Sequence, residues 1–434
     1  MIQVKTMTKL WVSALLGAGL LAATAAVKSA EENPENEALF QEGMDALEDD
    51  RLKSAIRAFS RILDAEPELN RAKLELALAY YRSMRYENAL KLAQDVLDNP
   101  TTPPEVRVTV LAFLAQVKRD SEQFKQKHNF SSLAMAGLMH DSNINVGPTN
   151  ANIRIGEIPL SLTQGSLKKS DNAGVYNLGV DHLYQTGKHV EVGETTGLLM
   201  WQTSASAYYR DYNRFNEYDL GVAGIKTGPA LIVLRHWRAS LQVGTDFLTL
   251  DDEALGWFSS VIPSITWQYN NGEVNWDAIY TRRFYNRNID EGRKGDYLDT
   301  GVTLGRYFDQ RRVSATAGGR LIKFYANDDE FGYNGFQVNA GISTVTYRNG
   351  SAYARQRFGY YDYDGKDPLG QKAREEKEYR STLGLSHEYN EPGDLLRGWV
   401  ANLFWERTQN DSNIGGLYSY TRYQGMLSLS RNFN

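Results

Sequence analysis

From about residue 129 to the C-terminus, apolar side chains recur at every second position. Tyr176, Leu178 and Val180 alternate with Asn177, Gly179 and Asp181, and Val274, Trp276, Ala278 and Tyr280 alternate with Asn275, Asp277 and Thr281. Leu298, Val302 and Leu304, then Phe336, Val338, Ala340 and Ile342, then Leu383 and Leu385, then Leu427 and Leu429 continue the pattern. A period of two belongs to a strand with unlike faces. One face here suits lipid and the other suits water. A bilayer leaves no backbone polar group unpaired, so strands of this kind must close on themselves as a transmembrane barrel. Counting the alternating segments gives about 14 strands, an even number as a bacterial single-chain barrel expects. Their starts are expected near residues 131, 172, 196, 217, 238, 256, 273, 296, 312, 333, 351, 376, 397 and 417. A soluble β-sandwich also alternates, but its strands are shorter, about 5 to 6 residues.

The connections support closure. Arg235 to Trp237, Asn270-Asn271-Gly272, Asp309 to Arg311, Asn349-Gly350 and Glu391 to Asp394 read as tight turns on one side. Asp141 to Asp171, Arg287 to Gly295, Asp364 to Glu375 and Gln409 to Gly415 read as longer loops on the other. Aromatic residues near strand ends, Trp201, Tyr208, Tyr209, Trp257, Trp267, Tyr269, Trp399 and Trp405, are expected to form interfacial girdles.

The chain ahead of Asn129 has a different composition. Of 26 tyrosines 23 lie after residue 130, as do 34 of 37 glycines. Residues 1–30 carry Lys5 and Lys9, an apolar stretch from Leu10 to Val27 and a small-residue end before Glu31, the order of a secretory signal peptide. Beyond it no apolar run reaches the roughly 18 residues of a membrane helix. Zero cysteine excludes a disulfide scaffold or a thiolate site, and 48 basic against 53 acidic residues argue against a nucleic-acid partner.

Residues 31–128 show apolar spacings of three and four, the helical period. Sliding this segment along itself aligns Gly43 with Ala77, Ala46 with Tyr80, Ala55 with Ala89, Phe59 with Ala93 and Ile62 with Val96. The offset, about 34 residues, is the tetratricopeptide length. The segment resembles a short array of such helix pairs capped by a helix from about Glu105. The resemblance places Phe40, Met44, Leu47, Leu74, Leu78 and Tyr81 on a concave face. Such an apolar face fits a client polypeptide, or it is filled by the chain itself. The expected architecture is therefore α + β in separate domains. A signal peptide (1–30) precedes a periplasmic TPR-like α-solenoid (31–128) and an antiparallel transmembrane β-barrel (129–434) in a Gram-negative outer membrane.

No constellation carries catalysis, a metal or a cofactor. His128, His140, His182, His189, His236 and His387 are scattered, and Gly384 to His387 lacks the second glycine of a nucleophile elbow. One local signal stands out. Asp141-Ser142-Asn143-Ile144 recurs as Asp411-Ser412-Asn413-Ile414, just after the first expected strand and just before the last. In a closed barrel these strands are neighbours, so the copies would meet above the seam. Ordinary Asx-turn chemistry accounts for each copy singly.

The signal peptide, the short helical array, Gly137 to Pro148 at the barrel entry and the final strand ending Leu429 to Phe433 together resemble the surface lipoprotein assembly modulator (Slam) family. The resemblance covers nearly the whole mature chain. It implies a 14-stranded outer-membrane barrel with a periplasmic repeat domain. Its implied partners are an exported client, either a lipoprotein or a soluble haem- or metal-capturing protein, together with periplasmic chaperones, the barrel-assembly machinery and outer-membrane lipid. Translocation of such a client is the leading expectation. A channel for solutes or polysaccharide, with the helical array docking a periplasmic assembly, is the alternative.

Overall fold

The computed structural model describes residues 34–155, 158–234 and 236–433, so the signal segment lies outside the described residues. The chain divides into two compact units. One holds the residues up to 128 with 185–200 and 231–234, and the other holds the rest.

In the first unit five helices follow one another among the described residues: α1 (Pro34–Glu48), α2 (Leu52–Ala65), α3 (Asn70–Arg82), α4 (Tyr86–Asp98) and α5 (Pro104–Lys125). Each of the first four has its apolar positions three and four apart, and Pro104 opens α5 at a position where a missing N–H costs nothing. Positions one repeat apart are equivalent in burial: Ala55 and Ala89, Phe59 and Ala93, and Ile62 and Val96 are all fully buried. Where α1 crosses α2, a Cβ on Gly43 would lie 2.6 Å from the Phe59 ring, so the crossing depends on a bare backbone. Gly43→Leu is expected to overpack this contact and to lower the stability of the helical unit by about 1–3 kcal/mol, read as a drop in the helical melting transition with the barrel's strand signal unchanged. Glu75 is enclosed in the same array with neither carboxylate oxygen hydrogen-bonded, and burial pushes its pKa up to about 7.

Sixteen strands follow among the described residues. Fourteen close into an antiparallel barrel: β1 (His128–Asp141), β4 (Asp171–Val192), β5 (Thr195–Tyr212), β6 (Leu220–Val233), β7 (Trp237–Leu250), β8 (Glu253–Tyr269), β9 (Gly272–Tyr285), β10 (Gly295–Phe308), β11 (Val313–Ala326), β12 (Tyr333–Tyr347), β13 (Gly350–Lys366), β14 (Ala373–Glu388), β15 (Trp399–Ser412) and β16 (Tyr420–Phe433). Each begins within three residues of its expected start. Neighbours in sequence pair throughout, and β1 closes on β16 with Ser132 opposite Phe433 and Asp141 opposite Gln424. Leu138, Leu178, Val302, Leu321, Val338, Leu383, Leu403 and Leu427 are exposed on the outer face while their sequence neighbours turn inward. A closed barrel with an apolar outer face belongs in a bilayer, and its strands, at 14 residues or more, exceed the roughly 9–11 that a crossing needs. This is a transmembrane β-barrel.

Three features depart from the expectation. The loop from Asp141 to Asp171 contains a small hairpin, β2 (Asn152–Ile155) with β3 (Ile158–Ser161). Asp251 and Asp252, both at positive φ, form a tight turn on the side where connections are expected to tend to be longer. Tyr208, assigned to a girdle, packs instead against Tyr212 and its neighbours inside the barrel, whereas Trp201, Trp257, Trp267 and Tyr269 stay exposed.

Candidate functional site: hairpin latch, seam and lumen

The expected client groove is largely filled. Phe40, Leu47 and Leu74 are buried, and Met44 and Leu78 are packed against the helical core. The reason is orientation: Phe40 meets Phe59 of α2 edge to face at 5.4 Å, so it points toward its partner helix. Tyr81 is covered by α5, with its ring 5.6 Å from that of Phe113 and its hydroxyl donating to Asp120 at 2.6 Å.

The helical unit instead holds the tip of the β4–β5 hairpin. Helix α2 has no side-chain cap of its own. The Glu194 carbonyl accepts the Lys53 N–H at 2.9 Å, and its carboxylate accepts both the N–H and the hydroxyl of Ser54 at 3.1 and 2.7 Å. A residue 140 positions away thus satisfies two orphan donors of the first turn and sets a negative charge against the helix dipole. Glu191 adds ion pairs to Lys53 and Arg85 at 3.0 and 3.5 Å. The Ser54 hydrogen bonds hold the Glu194 carboxyl below its ordinary 4.5. A depressed acid stabilises above its unfolded value, and that contribution disappears as pH falls through the folded one. The melting-temperature gap between the wild type and Glu194→Gln should therefore be widest at neutral pH and shrink as pH falls through the lowered folded-state value of the carboxyl; a gap independent of pH would remove Glu194 from this role.

At the far end of the barrel, opposite the end where β1 begins, the first Asp-Ser-Asn copy ties the seam. Asp141 is 0% exposed. It accepts from the Arg422 guanidinium of β16 (Nε at 3.0 Å), from the Tyr212 hydroxyl of β5 at 3.0 Å, from Gln424 Nε2 at 3.1 Å and from the Asn143 N–H at 3.0 Å. The last of these is the expected Asx turn. Ser142 carries the ladder one step further, donating its N–H to the Tyr423 carbonyl at 2.9 Å and accepting the Tyr423 N–H on Oγ at 2.8 Å. Asn143, also fully buried, closes the loop on the N–H and carbonyl of Gly147. Beneath this network Met139, Ile144, Ala173, Val175 and Tyr212 form an apolar cluster, joined by Met135, Tyr208 and Met426.

The second copy does a different job. Asn413 exchanges backbone and side-chain hydrogen bonds with Glu375 and donates to the Ala373 carbonyl, while Ser412 binds Ser419 and the Ile414 N–H. Asp411 accepts only from Gln409 among the described hydrogen bonds. This copy therefore joins β15 to the start of β14. What does meet is the loops: a Cβ on Gly416, in the short helix α6 (Gly415–Tyr418), would lie 2.8 Å from Ile153 of β2.

The lumen wall, which the sequence reading does not single out, divides into two zones. From mid-barrel toward the far end it is crossed by charge pairs. Arg320 of β11 bridges Asp299 at 2.6 Å and Asp277 at 2.7 Å; Arg357 binds Glu378 at 2.5 Å; Arg380 reaches Glu378 at 3.5 Å and Glu406 at 3.6 Å; Arg374 binds Glu376 at 3.3 Å. These side chains are only 13–35% exposed. Aromatic rings fill the gaps: the Arg283 guanidinium lies 4.2 Å from the Tyr297 ring centre and 4.7 Å from that of Phe324, and Arg374 is sandwiched between Tyr363 and Tyr418. Toward the near end the inward positions of β10 to β14 are mostly small: Thr303, Gly305, Ser314, Thr316, Gly341, Ser343, Ser351, Gly384 and Ser386, with Tyr307, Tyr353 and Arg355 the larger exceptions. Thr316, though inward, is exposed. On β10 to β14 the inward wall is thus mostly small and neutral toward the near end and carries paired charge from mid-barrel onward, while β7 and β9 add one ion pair at the near end, Arg238 to Glu273 at 3.2 Å. The signal is present in the chain, because Asp277, Asp299, Arg320, Arg357 and Glu378 all occupy the inward phase of the alternation.

No family model matches the chain, and no curated protein matches it. Among solved structures, the outer-membrane channel DcaP of Acinetobacter baumannii aligns with a TM-score of 0.39 at 11% identity, over 70% of this chain and 97% of that one. OccAB4 of the same organism aligns at 0.33 and 9%, over 71% and 99%. The COG4313 outer-membrane channel of Pseudomonas putida F1 aligns at 0.36 and 11%, over 70% and 95%. At such identities and scores nothing about cargo passes from these proteins to this one.

Proposed function

We propose that the chain is a gated outer-membrane channel for small polar solutes, with its helical unit on the periplasmic side. The observation that carries this reading is the two-zone lumen. On β10 to β14 the inward side chains at the near end are mostly small and neutral, and from mid-barrel onward paired arginines and carboxylates project from the wall and keep it polar. Crowded charge of balanced sign admits hydrated, polar cargo and resists a wide opening. Purified protein in planar bilayers should give small, discrete conductance steps, and liposomes containing it should take up small sugars or amino acids. Absence of both, in the wild type and in lumen variants alike, would sink the proposal.

A second reading is favoured by the helical unit. Its two helix pairs repeat with equivalent burial at the tetratricopeptide offset, and such arrays receive polypeptides. In that reading the protein delivers an exported lipoprotein, or a soluble haem- or metal-capturing protein, to the cell surface. Deleting the gene would then strip one particular protein from the surface while leaving small-solute uptake unchanged, the reverse of what the channel requires.

A further inference from the structure

Helix α5 carries an exposed apolar stripe. Val108 is 69% exposed and Leu111 52%, and Ala112 and Ala115 are exposed beside them. A terminal helix of a stacked array is ordinarily polar on its outer side. The repeat correspondence explains this stripe. Val108 stands where Leu74 and Phe40 stand in the preceding pairs, and Leu111 stands where Ala77 and Gly43 stand. In those pairs the same positions are buried against the following helix: Phe40 packs on the Phe59 ring, and Gly43 lies so close to it that no Cβ fits. Helix α5 is thus the first helix of a third pair. Where its second helix would begin, the chain runs instead into β1 at His128, and no further helix of that length follows among the described residues.

We infer that this face of α5 receives one amphipathic helix from another protein, which completes the third pair in trans. The occupant's chemistry is set by continuity with the interfaces already built. It is a helix with small residues where α2 and α4 place Ala55 and Ala89, and an apolar residue at the positions of Ile62 and Val96. A second copy of this chain is a poorer fit, because it would set α5 on α5, whereas α1 and α3 each pack chiefly on the helices adjacent in sequence. The inference does not depend on what crosses the barrel.

The test uses the full chain in detergent and, as probe, a fluorescent peptide with the chain's own α4 sequence, Tyr86 to Asp98, which bears the required pattern. The expected result is saturable binding with a gain of helix signal, weakened about tenfold or more by Leu111→Glu and absent for a scrambled peptide. Leu111 and Val108 are surface residues, so their variants should melt like the wild type, and the melt is recorded to establish this. A photo-reactive group at position 108 should label the peptide. Failure of the α4 peptide to bind, equal binding by Leu111→Glu, or labelling that runs only between copies of the chain or only to lipid would each overturn the inference.

Discussion

Asp141→Ala is expected to destabilise the barrel by on the order of 3–5 kcal/mol, because it strands the Arg422 guanidinium in a buried site and leaves the Tyr212 hydroxyl and Gln424 amide short of an acceptor. Heat-modified mobility on gels, or urea unfolding in detergent, reads the effect directly. The comparison that makes it specific lies in the same sequence motif: Asp411 is exposed and, among the described hydrogen bonds, its carboxylate accepts only from Gln409 of its own strand, so Asp411→Ala should cost about 0.5 kcal/mol or less. A double variant, Asp141→Ala with Arg422→Met, removes both charges and should recover much of the loss, as buried pairs replaced by apolar groups often do. Equal effects at 141 and 411, or a double variant as weak as the single, would mean that the seam is held by its strand ladder alone.

The contrast between the two copies shows what can be read from the chain and what cannot. Strand phase is legible, since each inward or outward position follows from its neighbour once one face is apolar. Strand starts are legible for the same reason, helped by turn residues such as Asn271, which sits at positive φ between β8 and β9. Local turn chemistry at Asp141 and Asn143 is legible too, because the Asx turn closes within two residues. Its partners are not. Arg422 lies 281 residues away and Tyr212 lies 71, and nothing in a single sequence says which of many arginines a closing barrel brings to one aspartate. In the helical unit the pattern shows which positions are buried but not where they point. The repeat offset finds those positions, yet Phe40 turns toward Phe59, because α1 and α2 cross at Gly43 closely enough for the ring to reach its neighbour. The Glu194 cap is out of reach altogether, since Ser54 and Lys53 find their acceptor on a hairpin 140 residues downstream.

Arg320→Leu should have the largest functional effect. Arg320 stands between Asp277 and Asp299, which it bridges at 2.7 and 2.6 Å across three adjacent strands. Removing it retracts a long side chain from the crowded half of the lumen and leaves two carboxylates facing each other in a poorly hydrated place. Like charges repel and draw counter-ions, so the pathway should widen and turn toward cations. In planar bilayers the variant should conduct several-fold more current than the wild type, and its reversal potential under a salt gradient should shift to the cation side. Stability should fall as well, by about 3 kcal/mol, the usual cost of an uncompensated buried charge. Arg320→Lys separates the two contributions: an ammonium keeps the charge but cannot bind both carboxylates in a planar fork. It should therefore retain the wild-type ion preference while losing part of the closure. If Arg320→Leu leaves both conductance and reversal potential where they were, the paired charges pack the wall and do not set the conductance.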